Sequence, residues 1–262
     1  MVNLTNNQNE LSLFYKKYSK DFADLAFYYN INDFDTLSIK DKILVLAHRL
    51  KKEKRFNFAS FLFDKLFTTF TSMNALINKI ECLISMGKFE KALHFNNMAF
   101  ELFLEIDDSD NIENIEKTLA YQKAKIYFLS SNLILAANIC EDYIIKAKQK
   151  RFFTLLCATL IALGDFSSAE KLLARFLNQA HNFLAETLFC LHTINKTHAF
   201  MAFIKSTKKL EINNEHFLTK NIEILTVKND DFQAIDKLLR QEIIINNTNK
   251  STLSTEIIQC KE

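Results

Sequence analysis

Six histidines and five cysteines are the side chains of this 262-residue chain best suited to hold a metal ion. Cys190, His192 and His198 make the one close group, and their spacing does not set two ligands one helical turn apart on one face. Structural zinc sites use tighter pairs, so no metal is expected. The cysteines (Cys82, Cys140, Cys157, Cys190 and Cys260) are odd in number and lack a CxxC pair. Four of them fall within apolar helical patterns, where a free thiol packs as a small core residue. That pattern predicts a reduced, cytoplasmic protein.

Acid–base and nucleophilic chemistry have no better footing. Asp107 and Asp108 are adjacent carboxylates, but they stand in an acidic run where nothing points to a desolvated environment that would raise a pKa. Two glycines cannot build a GxGxxG turn or a P-loop, and neither HExxH nor GxSxG occurs. No catalysis and no cofactor are expected. The basic run His48-Arg49-Leu50-Lys51-Lys52-Glu53-Lys54-Arg55 is explained by cations at a helix C-terminus, where the backbone dipole is negative. Nucleic-acid binding would need cations interleaved with exposed aromatics along several segments, and later segments supply few in register. A net charge of +2 adds no general pull toward nucleic acid or membrane.

The elements that must position these residues read as helices. Proline and tryptophan are absent, glycine occurs twice and phenylalanine 25 times. Such a chain lacks the turn-formers of an all-β fold. Phe, Ile, Asn, Lys and Tyr have A/T-rich codons, which points to an A/T-rich, bacterial source. The longest apolar stretch, Phe152 to Leu163, is about half the roughly 20 residues of a membrane span, so it predicts a buried helix and no membrane insertion. The start, Met1-Val2-Asn3-Leu4-Thr5-Asn6-Asn7, has no basic region leading into an apolar core, so no signal peptide is expected.

Both glycines stand in one pattern, Gly-x-Phe-x-x-Ala: Gly87-Lys88-Phe89-Glu90-Lys91-Ala92 and Gly164-Asp165-Phe166-Ser167-Ser168-Ala169. Glycine enters the left-handed conformation at a helix end, and the small alanine lets a second helix press on the first. The corner recurs as Lys54-Arg55-Phe56-Asn57-Phe58-Ala59, 33 residues before Gly87, and as Ser131-Asn132-Leu133-Ile134-Leu135-Ala136, 33 before Gly164. A degenerate unit fits near Ile194 to Ala199, and Asn229-Asp230-Asp231-Phe232-Gln233-Ala234 offers a sixth. A period of 33–34 residues is the mark of stacked helix pairs.

These residues resemble the tetratricopeptide repeat (TPR). Aligned on Gly87, the repeat positions are Leu76, Ile80, Leu83, Gly87, Phe89, Ala92 and Ala99; aligned on Gly164, they are Phe153, Cys157, Leu160, Gly164, Phe166 and Ala169. Unit one supplies Ile43, Ala47 and Leu50, and unit three Ala120, Ala124 and Tyr127. The family's tryptophan and closing proline are missing. The resemblance implies an all-α fold, a right-handed α-solenoid of five to six antiparallel helix hairpins in a TPR-like superhelix. Residues 1–35 form an N-terminal capping region with one helix, Leu11 to Tyr29, then a polar turn. Residues 36–245 form the repeat domain and 246–262 a disordered tail. The interval from Gly87 to Ser131 is 44 residues, so two helices run long around an acidic hairpin near 100–117, with Asp108 or Ser109 as cap.

The resemblance also implies a groove lined by the first helix of each pair. It places there Leu44, His48, Lys51 and Lys52 from unit one, and Asn74, Asn78 and Glu81 from unit two. Unit three adds Tyr121, Gln122, Lys125 and Phe128, and unit four Arg151 and Thr154. The family's clamp for a terminal carboxylate would fall on Leu44, His48, Asn78, Thr118 and Gln122, of which only Asn78 fits. The expected function is a non-catalytic scaffold or adaptor that binds a protein or peptide partner, within a larger complex. The alternatives are a cytoplasmic chaperone for a bacterial secretion system, suggested by Arg151 to Ala169, and a helical enzyme or enzyme subunit with His192, His198 and His216 near its pocket.

Overall fold

Seven helices among the described residues are followed within two residues by a left-handed backbone turn, at Asn30, Lys54, Thr71, Gly87, Ser131, Gly164 and Asn195. In the computed structural model, which describes residues 2–104, 109–147, 150–174 and 181–206, all regular structure is helical. The helices are α1 (Val2–Lys17), α2 (Ser19–Tyr28), α3 (Ile39–Lys52), α4 (Phe56–Phe70), α5 (Met73–Ser85) and α6 (Phe89–Leu104). They continue as α7 (Ser109–Leu129), α8 (Leu133–Ala147), α9 (Lys150–Leu163), α10 (Phe166–Ala174), α11 (His181–Thr193) and α12 (Thr197–Ser206). The chain divides into two compact units, Met1–Asn132 and Leu133–Glu262.

Five corners share one geometry. The amides of Arg55, Lys88, Asn132, Asp165 and Lys196 donate to the carbonyls of Leu50, Leu83, Tyr127, Leu160 and Leu191, at 2.8–2.9 Å. The preceding residue takes a positive φ in each: Lys54 (59°), Gly87 (69°), Ser131 (64°), Gly164 (83°) and Asn195 (56°). This is the Schellman closure of a helix, which satisfies carbonyls that the last turn would leave bare. Two residues later a new helix begins, and the alanine of the pattern is fully buried at Ala59, Ala92, Ala136 and Ala169. The degenerate unit near Ile194 to Ala199 has its corner at Asn195, with buried Phe200 in the alanine's place. The candidate at 229–234 and the tail at 246–262 lie outside the described residues.

In the first unit the helices pack in chain order, α3 on α4, α4 on α5, α5 on α6 and α6 on α7, and α5 also reaches α7. Apolar stripes at helical spacing drive this packing: Ile43, Ala47 and Leu50 on α3, and Leu76, Ile80 and Leu83 on α5. Side-chain caps fix two helix starts, Ser38 Oγ accepting from Asp41 N and Ser72 Oγ from Ala75 N. In the second unit α9 is central, packed against α8, α10, α11 and α12.

Two expectations need correction or limits. The N-terminal helix is two helices rather than one over Leu11 to Tyr29. The chain breaks at Tyr18, whose amide is shared between the carbonyls of Phe14 and Tyr15. The break lets Phe22 fold back onto Phe14 and Tyr15, with ring centroids 5.8 and 5.4 Å apart, so aromatic burial wins over helix continuity. Around the acidic hairpin, α6 has 16 residues and α7 has 21, against 13 in α5. Ser109 is the first helical residue of α7, and Asp108 lies outside the described residues.

Candidate functional site

The first helices of the first unit gather polar side chains on the side away from their buried stripes. Lys51, near the C-terminal end of α3, donates to Asn78 Oδ1 on α5 at 2.8 Å and forms an ion pair with Glu81. Asn78 Nδ2 in turn donates to the carbonyl of Asn74, one turn back, at 2.8 Å. His48 lies one turn before Lys51 on the helix, its ring edge-on to Phe63 with centroids 5.2 Å apart. Burial lowers the His48 pKa from its ordinary 6.5, the Lys51 ammonium lowers it further, and the Glu81 carboxylate opposes both. The imidazole is neutral at physiological pH. Five sequence-derived residues, His48, Lys51, Asn74, Asn78 and Glu81, therefore come together.

The remaining candidates divide. Lys52 is exposed, and Tyr121 and Lys125 on α7 are half-buried. Phe128 is a correction: at 1% exposure it presents nothing to a groove. It follows buried Ala124 by four residues, so it continues that helix's buried stripe. Gln122 is a second correction, buried with its Nε2 donating to the carbonyl of Ile77 at 3.0 Å. That bond ties α7 to α5. Arg151 belongs to the second unit, half-buried with its guanidinium 5.8 Å from the Phe152 ring centroid. Thr154 is buried and bridges the Lys150 carbonyl and the Glu186 carboxylate.

Sequence reasoning missed the polar pin beside this site. Lys79 is only 7% exposed, its Nζ 2.5 Å from Asp64 Oδ1 and 3.3 Å from the Phe95 ring centroid. It joins α4, α5 and α6 through one cation. The signal was a lysine on the apolar run of α5, where a charge survives only if paired. Buried Asn96 is similar, donating to the carbonyl of Leu119 at 3.0 Å.

Chemically the cluster offers amides, a matched ion pair and a neutral imidazole. The nearby Cys82 thiol is pushed up to about 11 by burial and stays protonated, so it is a poor nucleophile. A small cavity of about 50 Å3 between α1 and α4, lined by Glu10, Leu11, Lys65, Thr68 and Thr69, has room for a few waters. Among the described residues no group of three or more His, Cys, Asp or Glu is placed to hold a metal ion, and no helix is long and apolar enough to cross a membrane. Comparison with protein-family models, curated proteins and solved structures finds no match to this chain.

Proposed function

We propose that this chain is a non-catalytic, cytoplasmic adaptor of tetratricopeptide-like architecture, a right-handed stack of helix hairpins. It holds a peptide or protein partner on the first helices of its N-terminal unit. One observation carries this: His48, Lys51, Asn74, Asn78 and Glu81 come from two helices and meet on one polar face. The Lys51–Glu81 pair leaves little net charge there, which suits a partner's uncharged backbone better than a free carboxylate. Half-exposed pairs of this kind contribute only about 0–1 kcal/mol to stability, so stability does not require them.

The test is quantitative affinity capture from the native cell extract with the wild type and with Asn74→Ala/Asn78→Ala, both first checked for equal helicity. The expected result is one stoichiometric protein, retained by the wild type and lost by the variant. A partner retained equally by both would remove the groove from the proposal. Saturable binding to a small-molecule panel with turnover, and no protein partner, would replace it with an enzyme.

A further inference from the structure

Read along the chain, exposed aromatics and cations do not alternate from hairpin to hairpin, yet folding interleaves them on one side of the first unit. Helix α1 packs on α4. The Phe14 ring stands edge-on to Phe61 with centroids 5.7 Å apart, and Tyr18 joins Phe14 at 5.2 Å. The Lys65 ammonium lies 5.9 Å from the Phe14 centroid and 5.8 Å from that of Phe61. The Lys17 ammonium lies 5.3 Å from the Tyr18 centroid. Phe58, one turn before Phe61, is 66% exposed, and Phe61 and Tyr18 are exposed as well.

The basic corners continue this surface. Lys54 and Arg55 lead directly into α4, and the Lys88 ammonium of the next corner donates to Asn57 Oδ1 at 3.3 Å, beside Phe58 in sequence. All three cations are exposed. Residues 13–18, 52–65 and 88–91 together hold eight bases and three acids. Two of those acids are engaged by cations outside the three segments, Glu53 by Arg49 and Asp64 by Lys79, and the third, Glu90, is exposed. Glu10 adds a carboxylate at the far end, where it lines the small cavity with Lys65. Along α4 the surface runs roughly 12 Å, from residue 57 to residue 65.

We propose that this surface binds a short stretch of single-stranded nucleic acid, with bases stacked on the exposed rings and phosphates against the corner cations. The occupant follows from charge complementarity and from the rings together, since each nucleotide supplies one anion and one flat ring. An acidic peptide would answer the cations but gives no reason for the exposed rings. A membrane fits less well. Lys65 sits between Phe14 and Phe61, so pressing those rings into acyl chains would carry an ammonium with them. The chain's net charge of only +2 makes the attraction local to this patch. The surface lies on α1, α4 and the corners, apart from the polar face around Lys51, and stands if that assignment fails.

The experiment is fluorescence anisotropy of the full chain with labelled oligouridylate and oligothymidylate of about 12 nucleotides, the tighter binder showing whether RNA or DNA is preferred. The wild type should bind at least one of them with a Kd of about 1–100 µM at roughly 0.1 M salt. Phe58→Ala should weaken that binding at least about fivefold, and Phe58→Tyr, which keeps a ring, should stay within about twofold. Phe58 is 66% exposed, so neither change opens the core. Lys54→Ala/Arg55→Ala should flatten the slope of log affinity against log salt by about 1.4, as for two phosphates of a single strand. Failure of both oligonucleotides to bind overturns the proposal. So does binding that Phe58→Ala leaves unchanged, or equal competition by polyglutamate of the same charge. Capture by phosphatidylserine vesicles without oligonucleotide binding overturns it in favour of a membrane.

Discussion

Helices α5 and α9 occupy the same place in their respective hairpins, with 13 and 14 residues and the same corner at their ends. They meet solvent very differently. Helix α5 buries one side and leaves Asn74, Asn78, Glu81 and Ser85 wholly or partly open. In α9 every residue from Phe152 to Ile161 is buried, because α8, α10, α11 and α12 surround it. Its hydroxyls turn inward to their own helix, Thr159 Oγ1 donating to the carbonyl of Leu155 at 2.6 Å. Equal register therefore fixes the hairpin but not the accessible face. Accessibility depends on how many later helices return to the same element.

The largest test of this contrast is Phe152→Ala, which empties a fully buried site stacked on Tyr143. It should cost about 3–5 kcal/mol, whereas Phe58→Ala on the first unit, 66% exposed, should cost less than about 0.5 kcal/mol. Urea unfolding followed by circular dichroism measures both. Equal costs would mean that α9 is not enclosed.

Next comes the polar pin of the first unit. Lys79→Ala removes the partner of Asp64 and the cation over Phe95, and should cost about 1–3 kcal/mol in the same assay. Lys150→Ala in the second unit breaks a pair with Glu186 that is about half exposed on both sides, so its cost should stay under about 1 kcal/mol. Reversal of that order would deny the first unit its dependence on internal polar contacts.

Corners should behave alike in both units. An added Cβ at Gly87 or Gly164 meets nothing within 4 Å, so the cost of Gly87→Ala or Gly164→Ala is conformational. Each should lose about 1–2 kcal/mol, while Ser131→Gly relieves the same backbone penalty and should lose nothing. The smallest effect is at His48. Its pKa is lowered in the fold, so the unfolded chain takes up a proton first as pH falls below 6.5. Stability declines from there down to the lowered value. His48→Gln should flatten that decline between about pH 7.5 and about pH 5.5, and an unchanged slope would place the titration elsewhere.

Much of the hairpin plan was legible because it follows from local rules. A left-handed residue, an aromatic (or Leu133 at the Ser131 corner) two positions on and an alanine three further on mark the corners at Lys54, Gly87, Ser131 and Gly164. Asn195 shows that the left-handed turn survives with the aromatic replaced by threonine and the alanine by phenylalanine. The surface was less legible. Gln122 and Thr154 were assigned to the groove by repeat position, but each is covered by a helix from another hairpin, α5 and α11 respectively. The break at Tyr18 was hidden because Phe14, Phe22 and Ala26 keep helical spacing through it. What folds them is ring packing between the two segments, which no periodicity records.

The enclosure of α9 also bears on motion. A helix wrapped on every side exchanges its amide protons only when its neighbours open together, so its hydrogens should be the last of that unit to be replaced by deuterium. The polar side of α5 imposes no such condition. One unit would then breathe segment by segment, and the other would open as a block.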